Sequence, residues 1–442
     1  MARTRGREAV GPSANWSGTV DFDPSAYVRV RTEGEIIHHL ARATAHGMNV
    51  RAIGAGHSFT PLAQASGIQM SLDGHRGLVH VDPVSGDVTV RGGTRLWELG
   101  PMLAAHGRAL AVMGDIDRQS IAGAISTGTH GTGAAYPGFS GLVTGLRIAL
   151  ASGDVVWADA DHNPRLFEAA RLGLGAFGII TQVRIQTVPL YRMHRREYTA
   201  EMSRAVEGLD DLMRAHDHAE LFWVPGAKRC VVRTLNHLPL ETAPMGPGRL
   251  RSALGKEVLG NGGFALANRV ARAVPRSQQV LGRAITALMP SPVAVGDPHR
   301  IFAESRRVRF RETEMSIPAH RWGEAFEALS AALSRLGSHI VFPLEVRRVR
   351  RDDVWLSGAY ERDALYIAAH IPVAEKSDVF LDTVHDVLAG LDGRPHWGKL
   401  HHFGVREIAE RYPRFEDVRE VRDDVDPGRL FTNDTIERVL GP

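Results

Sequence analysis

One cysteine, Cys230, in 442 residues excludes a disulfide within the chain and any cysteine-rich metal site. A packed thiol is the simplest expectation for it. No apolar run is long enough to span a bilayer. The basic start, residues 1–8, is followed by no apolar segment of a secretory signal, so the cytoplasm is the default compartment. Charge of either sign is scarcely in excess: 53 Lys and Arg face 50 Asp and Glu, a net charge of +3. No basic stripe is interleaved with aromatics, which sets nucleic acid aside as a partner. Internal repeats and low-complexity tracts are also missing. What remains, 43% hydrophobic and 23% charged residues, is ordinary for a globular protein. The length suits two or three domains with ample core.

The first half alternates strand and helix signals. Thr32-Glu-Gly-Glu35 has the form of a capping box, followed by a helical face of Ile36, Ile37, Leu40, Ala41 and Thr44. Val50–Ile53 and residues 88–90 have strand character, and Leu96, Leu99 and Leu103 line a helix closed by Gly107. Residues 146–150 and 155–157 flank Ser152-Gly153-Asp154, a hairpin signal, and residues 177–185 form a strand ended by Pro189. From about Tyr191 the composition shifts. Pro and Gly cluster at residues 239–248 and 290–298, with a helical stretch between. A strand over 307–315, a helix over Trp322–Leu336 and paired strands over 340–348 and 364–370 follow. This mixture predicts an α+β fold.

Two stretches carry the chemistry. The strand at Val50–Ile53 runs into Gly54-Ala55-Gly56, where the near-absence of side chains lets the backbone turn tightly and gather N–H groups at one point. Such a nest suits a pyrophosphate, and His57 projects an imidazole from the same loop. Phe59 stands where the classical dinucleotide fingerprint needs glycine. Taken alone, the stretch suits a glycine turn with a surface histidine equally well. The second stretch, Ser120-Ile-Ala-Gly-Ala-Ile-Ser-Thr-Gly-Thr-His-Gly-Thr-Gly133, is too poor in charge for a solvent loop. Its small residues allow close approach to a flat ligand, and Ser120, Thr127, Thr129 and Thr132 offer hydrogen bonds without bulk.

With a late Arg394-Pro-His-Trp-Gly-Lys399, these motifs resemble the vanillyl-alcohol-oxidase (PCMH-type) FAD flavoproteins. Within them the chain is similar to the aldonolactone oxidases and dehydrogenases (gulono- and arabinono-1,4-lactone), which are related to alditol oxidases. The resemblance runs from Asn15-Trp16-Ser17-Gly18 to Leu440-Gly441-Pro442. It implies a two-subdomain FAD-binding domain over residues 20–190, an α+β cap with an antiparallel sheet over 191–399, and a segment, 400–442, returning to the FAD domain. It implies cofactor contacts at Ile53, Gly54, Ala55, Gly56, His57, Ser58, Gly114, Asp115, Ser120, Gly123, Thr127, Gly128, Thr129, His130 and Ile180. His57 would carry a covalent bond to the flavin. A related branch makes a second link through a cysteine, which residues 114–133 lack.

Glu345 and Arg347 sit two apart on a strand and so share a face, which continues back through Val341 and Pro343. The opposite face carries Ile340, Phe342, Leu344 and Val346. Apolar residues on both sides favour a buried pair over a solvated salt bridge. The resemblance implies that Glu345 and Arg347 bind substrate hydroxyls, that His370 is an active-site histidine and that Lys399 stabilises the reduced flavin. Substrate C–H delivers hydride to flavin N5, with Glu345 or His370 accepting the hydroxyl proton. Asp115 and Pro372 stand where alditol oxidases carry a serine and a threonine, which favours an aldonolactone over the alternative, an alditol. A flavin-free binding protein on the same fold is the third reading; Glu345, Arg347, His370 and Lys399 together speak against it. His401-His402 would face opposite ways on a strand and lack a third ligand, so no metal is expected. For the electron acceptor, O2 or another oxidant, Gly114 leaves room for oxygen while the charge of Asp115 opposes its reduction.

Overall fold

The computed structural model describes residues 11–246, 293–303, 308–336 and 342–442, with isolated positions between 270 and 287. Three sheets organise the chain. A small parallel sheet orders Ala26–Arg29, Ile68–Ser71 and Val50–Ile53, with the helix Glu33–Ala45 against it. Thr32 caps this helix by accepting from the Glu35 N–H at 3.2 Å. The reciprocal bond differs from the expected box, since the Glu35 carboxylate accepts from Arg31 N–H, one residue earlier. The buried stripe is Ile36, Leu40 and Ala43, whereas Ala41 and Thr44 face solvent. Spacings of four and three select that stripe once the sheet fixes the helix's rotation.

A second, five-stranded antiparallel sheet orders Leu78–Val81, Val88–Arg91, Ile179–Ile185, Val143–Ala149 and Val155–Ala158. The hairpin turns at Gly153, φ +91°, as its sequence signal predicts. The strand expected from 177 begins two residues later because Gly178 holds φ +136°. Leu96, Leu99 and Leu103 are buried on the helix Leu96–Ala105.

The largest sheet is antiparallel throughout, in the order Ala294–Gly296, Arg192–Glu201, Arg229–Leu238, His218–Trp223, Leu344–Val349, Ala364–Pro372, Phe310–Pro318 and Arg394–Pro395. The helix Trp322–Leu336 lies where expected and buries Trp322, Ala325, Leu329 and Leu333. The strand expected from 307 starts at Phe310, and the described part of the 340–348 strand is Leu344–Val349; residues 304–307 and 337–341 lie outside the described residues. So do most of the helical stretch between the two Pro/Gly clusters and the inner ends of those clusters.

Three short helices end the chain, and this segment docks onto the first sheet. Val50 N–H donates to Leu430 O at 2.8 Å, and Asn433 donates to the carbonyls of Pro61, Leu62 and Gln64. Arg51, fully enclosed, donates to the carbonyls of Leu62, Leu174, Gly175 and Phe431, pinning four segments together. Burial, with Arg422 nearby, pulls its guanidinium down to about 9. Cys230 is free and buried, and burial pushes its thiol up to about 11. Among the described residues no helix is long and apolar enough to cross a membrane.

Candidate active site

Two adjoining clefts, of about 1010 and 690 Å³ including their open mouths, meet at His57, Ser58, Gln119 and Thr127. The larger is walled by Ile53, the Gly54-Ala55-Gly56 turn, Ser120, Gly123 and Ile180. A Cβ on Gly54 would lie 2.7 Å from Ser120 Oγ, and Gly56 holds φ +66°, so both positions demand glycine. Ser120 Oγ accepts from Gly123 N–H at 3.2 Å, starting the helix Ile121–Ser126 against the turn. Around the turn the wall is backbone and hydroxyls, flanked by Ile53 and Ile180, a surface that suits a flat, phosphate-bearing ligand.

His57 marks the junction. Its ring stacks on Trp16, with centroids 5.3 Å apart, and its buried Nδ1 has no hydrogen-bond partner. Burial first, then the charge of Lys399, pulls the ring down to about 4, so it is a neutral imidazole with an uncommitted nitrogen at neutral pH. The Trp397–Lys399 segment is fastened to the same loop: Phe59 N–H donates to Gly398 O at 2.8 Å and Thr60 Oγ1 to Trp397 O at 3.1 Å.

The smaller cleft has charged walls. Gly114, Asp115, Thr129 and His130 line one side; Glu312, Glu314, Glu345, Arg347 and Lys399 line the other. Arg347 Nε donates to Glu345 Oε1 at 2.8 Å, so the two do share a face, and Arg347 Nη2 donates to Asp115 at 3.2 Å. Behind them Glu220 lies 3.9 Å from Arg347 and accepts from Arg233 at 3.1 Å. Burial, then Asp115, pushes Glu220 up to about 8 against the pull of Arg233 and Arg347. Two strands away from Glu345 and Arg347, on Phe310–Pro318, are Glu312 and Glu314, and Lys399 Nζ sits 2.5 Å from the first and 3.7 Å from the second. Burial opposes ionisation of Glu312, yet Lys399 and His370 hold its carboxyl at about 2.

Of the expected residues, Gly128 lines a narrow pocket beside Thr129 rather than either cleft. His370 reaches the cleft wall only through Glu312, its Nε2 3.3 Å from Oε1. Asp115 is paired with Arg347 instead of presenting an uncompensated charge. Pro372 ends its strand, paired with Phe310. His401 is buried and His402 exposed, as the sequence predicts, but their segment is irregular rather than a strand. Glu312, Glu314 and Glu220 are not legible as site residues in the sequence reading. The available signal is Glu312-Thr-Glu314, two carboxylates on one face of a strand otherwise rich in apolar residues.

Comparison with known proteins decides the family. A model described as D-arabinono-1,4-lactone oxidase matches residues 183–439, and one described as FAD binding domain matches 24–159. The chain belongs to the D-arabinono-1,4-lactone oxidase family. L-gulono-1,4-lactone dehydrogenase of Mycobacterium tuberculosis is 38% identical over 97% of this chain and 99% of its own length. L-gulonolactone oxidase of Mus musculus is 27% identical over 96% of this chain and 97% of its own. Cholesterol oxidase from B. sterolicum superposes with a TM-score of 0.82 at 17% identity, covering 97% and 96% of the two chains, a likeness of fold.

A family member of this kind binds FAD, and the residues present fit that group. The glycine turn and the hydroxyls of Ser58, Ser120 and Thr127 suit the dinucleotide, and His57, which lines both clefts, has a buried Nδ1 with no hydrogen-bond partner. Two clusters of ligand-type side chains lie beside the cleft, but neither fits a metal. Arg347 already places a cation among Asp115, Glu220 and Glu345. In the His130–Glu314–His396 cluster, His396 Nδ1 accepts from Gly398 N–H at 3.1 Å, which leaves its Nε2 protonated and unable to ligate.

Proposed function

We propose that this enzyme oxidises a secondary alcohol of an aldonolactone, L-gulono- or D-arabinono-1,4-lactone, using FAD covalently held by His57. The observation that carries this reading is the convergence of Glu345, Arg347 and Lys399 on the cleft that adjoins His57. When bound, FAD supplies a hydride acceptor. The protein's own groups do the rest. Arg347 and Glu345 orient the substrate hydroxyls, and Glu345, which unlike His370 lines the cleft directly, takes the proton of the reacting one. His370 steadies Glu312 from behind. Lys399 brings positive charge to the place where negative charge develops. A neutral His57 ring has the lone pair that covalent attachment requires. Residues 20–190 serve as the cofactor domain, 191–399 as the substrate cap and 400–442 as the returning segment. The cytoplasm is the compartment that suits one cysteine and no membrane-crossing helix among the described residues.

Pairing with Arg347 weakens the electrostatic objection that Asp115 raises to oxygen and leaves the room at Gly114 as the deciding feature. We therefore take O2 as the electron acceptor. The test is turnover of purified protein in air with gulono-1,4-lactone, arabinono-1,4-lactone, xylitol and sorbitol. Lactone consumption with matching peroxide is expected. Turnover of the alditols alone would overturn the substrate, and brisk dye reduction without peroxide would overturn the acceptor.

A further inference from the structure

His130 has both ring nitrogens committed, and the two commitments conflict in a neutral ring. Nδ1 lies 2.8 Å from the Gly131 carbonyl, which can only accept, so Nδ1 must carry a hydrogen. Nε2 lies 3.1 Å from Glu314 Oε1. In a neutral ring with Nδ1–H, Nε2 offers a lone pair, and a lone pair facing a carboxylate is repulsive. One extra proton must therefore sit between the two groups. Both are buried, at 3% exposure each, so water cannot relieve the conflict. Neighbouring groups decide which partner holds it. Tyr366 stacks on the ring at 3.8 Å, His396 stands 5.7 Å away, and Lys399 is 3.7 Å from the other Glu314 oxygen. Burial alone would raise the Glu314 carboxyl, yet the His130 ring, then Lys399 and His396, hold it well below its ordinary value.

Resting on the proposed flavin chemistry, we propose that His130 holds the proton it shares with Glu314, as an imidazolium that neutralises Glu314 and so leaves the charge of Lys399 effective toward the cleft. The charge count requires the extra proton, and the ammonium of Lys399 beside Glu314 favours its place on the ring. Glu312 and Glu314 bring two negative charges to the wall; Lys399 and His130 bring two positive ones. A bare His130 beside an ionised Glu314 would leave the wall net negative where negative charge must later develop, and a charge in so dry a place acts strongly. His130 is a positioning residue here, acting through Glu314 and Lys399. The role is distinct from the cofactor contact that its motif suggests.

Neutron diffraction on crystals of the FAD-loaded wild-type enzyme tests the proton directly. Deuterium on both His130 ring nitrogens and none on Glu314 is expected. Deuterium on Glu314, or a bare Nε2, overturns the proposal whether or not the flavin is covalent. The function is tested by the reduction potential of the bound flavin in His130→Gln, Glu314→Gln and the double variant. His130→Gln should lower the potential and slow reduction by lactone on the order of tenfold, the effect of one uncompensated charge beside the cleft. Glu314→Gln removes one negative charge while the ring keeps its proton, so the count becomes +1 and the potential should rise above wild type. The double variant restores neutrality and should recover the loss. A double variant no better than His130→Gln overturns the charge-balance role. Should the histidine variant not fold, the wild-type neutron map still decides. A protein that binds no flavin at all would instead sink the functional reading, leaving the ring's protonation to be read separately.

Discussion

The wall built from residues 53–58, 120–123 and 180 holds a ligand with backbone, hydroxyls and absent side chains, whereas the wall across the smaller cleft is almost all charge. The first tolerates no added bulk: a Cβ at Gly54 would press on Ser120. The second tolerates no lost charge, because Asp115, Glu220 and Glu345 are gathered around one guanidinium, and Glu312 and Glu314 around one ammonium. Shape is a property of one loop and a few contacts, so its failures are local. Charge balance in a dry site is shared, so removing one member exposes all the others.

Removing Arg347 should produce the largest effect, since three buried carboxylates then face one another. Arg347→Ala is expected to lose about 3–5 kcal/mol of stability and to slow flavin reduction roughly a hundred- to thousandfold. Denaturant unfolding and stopped-flow absorbance measure the two. A wild-type denaturation midpoint would mean that the charged wall is not a shared unit.

Next in size is the pH response of Glu220, whose carboxyl rises from an ordinary 4.5 to about 8 on folding. A raised acid contributes stability fully below pH 4.5 and loses it as pH climbs through 8. Glu220→Gln has no such group, so its Tm relative to wild type should rise between about pH 4.5 and 8 and level off above. A difference that is flat across that window would show that Glu220 is ionised throughout.

The smallest effect is expected at the edge where the two walls meet. A Cβ on Gly114 would stand 3.1 Å from the His130 carbonyl and 3.4 Å from a Thr129 methyl, a contact relieved by a shift of a few tenths of an ångström. Gly114→Ala should fold normally, reduce its flavin at nearly the wild-type rate and give less peroxide per lactone. Unchanged peroxide would remove Gly114 as the oxygen-access position.

The same contrast explains what the sequence could reveal. The Gly54–Ser58 turn follows its strand directly and the Ser120–Gly133 run is continuous, so both are visible as strings. Glu345 and Arg347 were legible because a period of two places them on one face. Lys399 came through its motif. Glu312 and Glu314 obey the same period, but their partners come from elsewhere: His370 by strand pairing, His130 from the Ser120–Gly133 run, and Lys399 from a turn whose His396 and Leu400 N–H groups donate across to the Glu314 and Glu312 carbonyls. Nothing local in the chain announces that. Glu220 sits in His218–Trp223, a strand buried at every position. Its acid inside an apolar run had to have a partner, though only the sheet order shows that the partners are Arg233 and Arg347.

Anaerobic stopped-flow reduction by gulono-1,4-lactone, comparing Lys399→Ala with His57→Ala, tests the division of labour most directly. Lys399→Ala should keep its covalent flavin, visible as a fluorescent band on a denaturing gel. Its limiting reduction rate should fall roughly a hundred- to thousandfold with little change in the lactone concentration needed. His57→Ala should fold, lose that band and, resupplied with FAD, lose less of the rate than Lys399→Ala does. A Lys399→Ala enzyme reduced at the wild-type rate, or a fluorescent band surviving in His57→Ala, would contradict the account.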